Sequence, residues 1–280
     1  MIRLPGMGLA LALLLLLTET GLARSLPDTI DRIRGSVVAV GTVIPIKYAP
    51  KKKPRAKYLG TGFVAGKGNL VVTNYHVVPE KLDTQKKEQL AVFSGRGKNA
   101  RVHTAKVIRS DQEHDLALLQ ISGPALSPME LHGRGWLREG EEVAFTGFPI
   151  GMVLGLYPVT HKGIVSAITP AAIPASSSRR LTAAQLKRLR NPFDVYQLDA
   201  IAYPGNSGSP VYQASTGRVI GVLNSVFVKG SQASLRSRER FWDIRVPKID
   251  SIFDNSLVPR PSWSPGVPPQ HRKLVAATHR

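Results

Sequence analysis

Asp199-Ala-Ile-Ala-Tyr-Pro-Gly-Asn-Ser-Gly-Ser-Pro210 is the stretch around which the chain is organised. One serine, Ser207, sits in a tight turn, with Gly205 and Gly208 on either side of an Asn-Ser pair. Glycine reaches backbone conformations that other residues resist, so such a turn can aim two N–H groups and a hydroxyl at a common point. That arrangement suits a nucleophile with an oxyanion hole. Read alone, the same residues describe a hairpin turn of small side chains. The decision rests on whether the chain also supplies a base and a carboxylate to orient it.

The chain has seven histidines. His103, His132, His161, His271 and His279 lie in polar or loop contexts with no further signal. His76 closes Gly60-Thr-Gly-Phe-Val-Ala-Gly-Lys-Gly-Asn-Leu-Val-Val-Thr-Asn-Tyr-His76, where an apolar strand delivers it to a strand end that a rigid scaffold can present. For the carboxylate, Asp115 stands at the mouth of the apolar run Leu116-Ala-Leu-Leu-Gln-Ile. An acid there is partly buried and needs a partner. Asp111, four residues earlier in a polar run, is the weaker rival, and His114 reads as a solvent-facing neighbour.

Short β-branched runs recur along the chain with Gly, Asn or charged punctuation. The first group is Ser36–Ile44, Gly62–Ala65, Leu70–Thr73, Gln89–Phe93, Ala105–Ile108 and Leu116–Ile121. The second is Glu142–Phe145, Gly163–Ile168, Val195–Leu198, Pro210–Tyr212, Val219–Leu223 and Trp242–Val246. Many short strands with few helical patterns predict barrels or a sandwich, and the two groups predict two halves joined near residues 123–135. Pro27–Arg34 reads as an amphipathic turn with Asp28 as N-cap, Leu181–Arg190 as a helix stopped by Asn191-Pro192, and Pro247 onward as a terminal helix. Lys47–Lys57, with six positive charges and two prolines, reads as a solvated loop.

Thr73-Asn-Tyr-His-Val-Val, His114-Asp-Leu-Ala-Leu-Leu and Pro204-Gly-Asn-Ser-Gly-Ser-Pro occur in that order. Together they resemble the trypsin-like serine proteases of chymotrypsin fold, and most closely the bacterial HtrA (Deg) group. Gly60-Thr-Gly-Phe, Gly147-Phe-Pro-Ile-Gly151, Gly163-Ile-Val-Ser-Ala and Val219-Ile-Gly-Val-Leu-Asn extend the resemblance over roughly residues 28–255. It implies an all-β fold of two packed six-stranded antiparallel β-barrels with a short C-terminal helix. The expected division is 1–23 as a signal peptide, 24–125 carrying His76 and Asp115, 126–258 carrying Ser207, and 259–280 as a disordered basic tail. The order His, Asp, Ser is the chymotrypsin one.

By the same resemblance Ser207 is the nucleophile, His76 the base, Asp115 its orienting carboxylate, and the N–H groups of Gly205 and Ser207 the oxyanion hole. Neither metal nor organic cofactor is required. Asn206 replaces the Asp that pairs with a freshly cut N-terminus in digestive members, so activation by propeptide cleavage is not expected. Ser209 replaces a second glycine. The pocket-lining segments hold Ile201 or Ala202 at the floor, and Asn224, Ser225 and Val226. They carry no acid, and Val226 fills the room a glycine would leave for an aromatic. Cleavage after small or medium aliphatic residues is the expectation. The tail is too short for the PDZ domain that HtrA proteins usually carry, so a protease lacking one is implied.

Composition bounds the rest. Cysteine is absent, which excludes disulfides, thiolate chemistry and cysteine-ligated metals. Arg3, the apolar run Met7–Leu17 and Gly21-Leu-Ala23 have the form of an export signal, and the run is shorter than the roughly 20 residues that span a bilayer. An exported protein, periplasmic or secreted, is expected. Lysine and arginine number 38 against 19 acids, a net charge of +19. That excess favours acidic or unfolded polypeptides and anionic surfaces, met through the basic loops 47–57 and 179–190; nucleic acid is not the expected partner. A homo-oligomer would be a trimer. The competing readings are a catalytically silent polybasic binding module on the same fold, and an esterase-like hydrolase, which the motif order disfavours.

Overall fold

Antiparallel pairing accounts for nearly all regular structure in the computed structural model, which describes residues 25–48, 55–133, 135–149, 155–171, 193–226, 243–247, 249 and 252–253. The expected export signal, the 181–190 helix with its basic cluster and the 259–280 tail lie outside the described residues. Of the terminal helix expected from Pro247, the described residues give one turn, in which Ile252 N–H donates to Ile249 O at 3.2 Å.

Six strands form the first barrel: β1 (Val37–Ile44), β2 (Arg55–Ala65), β3 (Leu70–Asn74), β4 (Gln89–Ser94), β5 (Arg101–Asp111) and β6 (Leu116–Ile121). They close in the order β1-β2-β3-β6-β5-β4. Val38, Val40, Val64, Val71, Val92 and Leu119 fill its interior. The alternate residues Val37, Ala39, Phe63, Val72 and Leu118 pack outward in a cluster that also holds Ala144, Tyr212 and Val222 of the second half. Both faces of β1 and β3 are therefore covered, which is why they read as mostly apolar runs without a polar face.

The second sheet contains β7 (Glu142–Gly147), β8 (Val159–Pro170), β9 (Asp194–Asp199), β10 (Pro210–Gln213), β11 (Val219–Val222), β12 (Asn224–Val226) and β13 (Asp243–Pro247). Its order is β11-β10-β7-β8-β9-β13-β12. The two outermost strands are one run, Val219–Val226, interrupted only at Leu223. One bent segment thus pairs with β10 at one end and β13 at the other. The sheet closes as a six-stranded barrel around Phe145, Val165, Tyr196, Val211, Leu223 and Val246. The architecture is the chymotrypsin-like double barrel.

Local expectations need two corrections. Arg55–Lys57 is not loop but the start of β2, where Ala56 pairs with Val43 and half-buries while its two charged neighbours point to solvent. Charge repulsion does not prevent pairing when the charges alternate outward. The described helix is α1 (Leu26–Ile33). Its N-cap is Ser25 rather than Asp28; the Ser25 hydroxyl donates to the Asp28 carboxylate at 2.5 Å and accepts from Asp28 N–H at 3.4 Å. An acid in the first turn complements the helix dipole. The helix sits against the second half through Arg32, which donates to Thr216 O.

Candidate active site

Strand pairing brings His76 and Asp115 together. β3 and β6 are antiparallel with Asn74 opposite Leu116, so the chain leaving β3 meets the chain entering β6. Tyr75–Val77 form a single 3-10 turn there. Asp115 adopts φ +56°, a left-handed conformation uncommon outside glycine, which persists where surrounding contacts over-determine it. Its carbonyl accepts from Asn74 Nδ2 and Tyr75 N–H, both at 3.0 Å. Its carboxylate accepts from His76 N–H through Oδ1 at 2.9 Å and contacts His76 Nδ1 through Oδ2 at 2.6 Å. A carboxylate only accepts, so the imidazole proton belongs on Nδ1 and the Nε2 lone pair is left available. Asp115 is buried, while the His76 side chain is 46% exposed.

Asp111 makes a separate pair. Its Oδ2 lies 2.7 Å from His114 Nδ1, and its Oδ1 accepts from the N–H groups of Glu113 and His114 at 3.0 and 3.1 Å. His114 is therefore not solvent-facing: it is half-buried, with its ring 4.2 Å from that of Phe193. Both pairs reach the second half: the His114 ring lies against Phe193, while His76 precedes Val77, which meets Gly60 on the side where Gly60 also meets Ser207 O.

Ser207 arrives there from the second half. A β-carbon on Gly60 would lie 2.7 Å from the Val77 side chain and 2.9 Å from Ser207 O. A side chain would wedge the His76 turn away from the Ser207 turn, and glycine lets them close. Within the serine turn the N–H groups of Asn206, Gly208 and Ser209 donate to Tyr203 O, Leu223 O and Asn206 O at 2.9–3.0 Å. The N–H groups of Gly205 and Ser207 have no acceptor among the described residues. Gly208, at φ +87°, passes so close to Thr61 O that a β-carbon would sit 1.9 Å from it. Among the described residues no hydrogen bond joins the Ser207 hydroxyl to His76, a bond that commonly tightens only when substrate is bound.

Of the pocket segments, Ile201 stands 59% exposed, whereas Ala202 is fully buried in the second core. Asn224 is half-buried on β12 opposite Arg245, and Ser225 and Val226 pair with Ile244 and Asp243 of β13. His161, passed over in the sequence, lies on β8 stacked against Phe145 at 4.8 Å, with the Tyr203 ring 5.7 Å away. Burial pushes its pKa down. His103 is a buried strand residue whose Nδ1 donates to Ser122 O at 3.2 Å and whose Nε2 accepts from Ser94 Oγ at 2.8 Å. Among the described residues no cluster of three or more His, Cys, Asp or Glu is placed to hold a metal ion.

Residues 60–222 match the family described as the trypsin-like peptidase domain. The zebrafish (Danio rerio) serine protease HTRA1A is 32% identical over 70% of this chain and 35% of its own length. A probable periplasmic serine endoprotease DegP-like from Hahella chejuensis is 30% identical over 76% of this chain and 39% of its own. The chain thus spans little more than a third of the length of these curated relatives. Among solved structures, the Rv3671c protease from M. tuberculosis in its active form superposes with a TM-score of 0.54 at 20% identity, covering 79% of both chains. Deg5 superposes with a TM-score of 0.52 at 24% identity, covering 79% of this chain and 87% of its own. The match to the family spans more than half of the chain, on a double barrel of the expected topology, and the chain belongs to the trypsin-like peptidase family, with HtrA/Deg proteases among its relatives.

Proposed function

We propose that this protein is an exported serine endopeptidase in which Ser207, His76 and Asp115 act together. One observation carries the reading: a buried Asp115 holds the His76 imidazole across from a serine turn whose Gly205 and Ser207 N–H groups have no acceptor among the described residues. In this reading Ser207 Oγ attacks the scissile carbonyl carbon and passes its proton to His76 Nε2. The tetrahedral oxyanion accepts from the Gly205 and Ser207 N–H groups, each worth about 3 kcal/mol in comparable sites. Collapse breaks the C–N bond as His76 returns the proton to the leaving amine. Water then repeats the sequence and frees the acyl group. Asp115 keeps the imidazole in the required tautomer and stabilises its cation.

Preference for small or medium aliphatic residues at the cleavage site is read from the acid-free Ile201–Ala202 segment and from valine at 226, where a glycine would leave room for an aromatic. Export accords with the basic and apolar start of the sequence and with the word periplasmic in the names of bacterial relatives. The net charge of +19 favours acidic or unfolded polypeptide substrates.

A fluorophosphonate probe tests the reading. Wild-type protein labels and Ser207→Ala does not; folded wild type that fails to label identifies a non-catalytic binding module instead. On a panel of chromogenic peptides, preferential cleavage after a basic or aromatic residue overturns the assigned specificity.

A further inference from the structure

Thr61, on β2 of the first barrel, is fully buried, and every polar group it owns is engaged. Its hydroxyl donates to Gly205 O at 2.7 Å and accepts from Phe148 N–H at 3.0 Å. Its N–H donates to Ser207 O at 2.8 Å, and its carbonyl accepts from Thr73 Oγ1 at 2.6 Å. One residue of the first half thus grips the serine turn of the second at two carbonyls, two residues apart.

Asn206, between those carbonyls, contributes nothing comparable through its side chain. It is fully buried, yet neither Oδ1 nor Nδ2 has a hydrogen-bond partner among the described residues. The position that in digestive relatives carries an anchoring acid is therefore not what holds the turn in this protein. We propose that Thr61 is a positioning residue, a latch that sets the oxyanion hole from the opposite barrel; the proposal rests on the serine-peptidase reading above.

The physical reason lies in the peptide planes. A trans peptide points its C=O and N–H to opposite sides. Fixing the carbonyls of Gly205 and Ser207 against Thr61 pins the planes on either side of the one carrying the Ser207 N–H. Gly205 sits at φ +97°, a conformation open to glycine, and glycine also lets the plane rotate. Without the Thr61 hydroxyl that plane loses its side-chain anchor and the two unpartnered N–H groups lose their common aim. Displacements of about 1 Å at such a site can cost about a hundredfold in rate.

Thr61→Val keeps the shape and removes the hydroxyl; Thr61→Ser keeps the hydroxyl. With a peptide substrate, Thr61→Val lowers kcat roughly tenfold to a hundredfold with KM within about twofold, because the hole acts on the transition state. A peptide boronate, whose tetrahedral adduct occupies the hole, weakens by the same factor. Thr61→Ser stays within about threefold on both measures. A merely structural threonine would lower the melting temperature without separating kcat from KM. The latch is overturned if Thr61→Val keeps wild-type kcat, if Thr61→Ser is equally damaged, or if the loss falls in KM alone. Amide exchange over residues 203–209 judges the latch independently of activity. That segment exchanges faster in Thr61→Val than in wild type and Thr61→Ser, and equal exchange in all three refutes the latch. Wild type that neither cleaves nor labels sinks the peptidase reading while leaving the exchange result to decide the latch.

Discussion

Replacing Asp115 by Asn isolates the tautomer that the site depends on. Asn is among the residues that tolerate the left-handed region, so φ +56° is retained. The orientation of the new amide follows from the surroundings. Oδ1 accepts from His76 N–H at 2.9 Å, and an NH2 there would oppose donor to donor, so the amide oxygen takes that place. The NH2 then faces His76 Nδ1 across the 2.6 Å contact now made by Oδ2. It donates to Nδ1, the ring proton moves to Nε2, and His76 can no longer accept the serine proton. The same substitution in the Ser-His-Asp template costs about 10⁴-fold in kcat, about 5 kcal/mol at roughly 1.4 kcal/mol per decade. Steady-state kinetics on a peptide substrate, with circular dichroism to confirm the fold, measures it. Asp111→Asn is the control: Asp111 holds His114, while His76 is held by Asp115, so kcat stays within about threefold of wild type. Folded Asp115→Asn within tenfold of wild type, or Asp111→Asn as damaged as Asp115→Asn, refutes the assignment.

Gly208→Ala forces a β-carbon to within 1.9 Å of Thr61 O at φ +87°, and a destabilisation of more than about 2 kcal/mol is expected in thermal unfolding; an unchanged melting temperature contradicts the close approach. Burial holds the His161 imidazole below its ordinary value of 6.5, so on acidification the unfolded chain binds that proton first. The stability His161 contributes is full above that value and lost as the pH falls toward its lower folded pKa. His161→Phe therefore flattens the rise of melting temperature with pH just below pH 6.5, and a slope identical to wild type would show that the ring titrates normally.

The strands that wrote themselves into the sequence are those with both faces covered. β1, β3 and β6 are runs of Val, Ile and Leu because one face fills the first barrel and the other meets the second. β5 extends over Arg101–Asp111 with mostly exposed side chains, so its ends come from pairing with β4 and β6 and leave no apolar signature beyond Ala105–Ile108. β12 left no apolar signature either: Asn-Ser-Val has no strand pattern, and its partner β13 begins at Asp243. Within the site, Asp115 was legible from the apolar strand behind it. His114 was not, because its partner Asp111 looked like part of a solvated turn. Thr61 was visible only as the middle of Gly60-Thr-Gly, since nothing in a sequence announces a hydroxyl that reaches residue 205.

The glycine seam at residue 60 makes the site a report on how the two barrels meet. In the proposed mechanism base and carboxylate belong to one half of the polypeptide and nucleophile and oxyanion donors to the other, and Thr61 spans the divide. Chemistry is thus conditional on docking, as with a two-key lock in which neither key turns alone. On that mechanism a protein cut within the 123–135 crossover would be two inert fragments, and their reassembly could be followed by the return of hydrolysis. By the same mechanism anything that parts the seam, whether a partner wedge, pressure or a side chain at Gly60, would silence the chemistry without touching Ser207, His76 or Asp115.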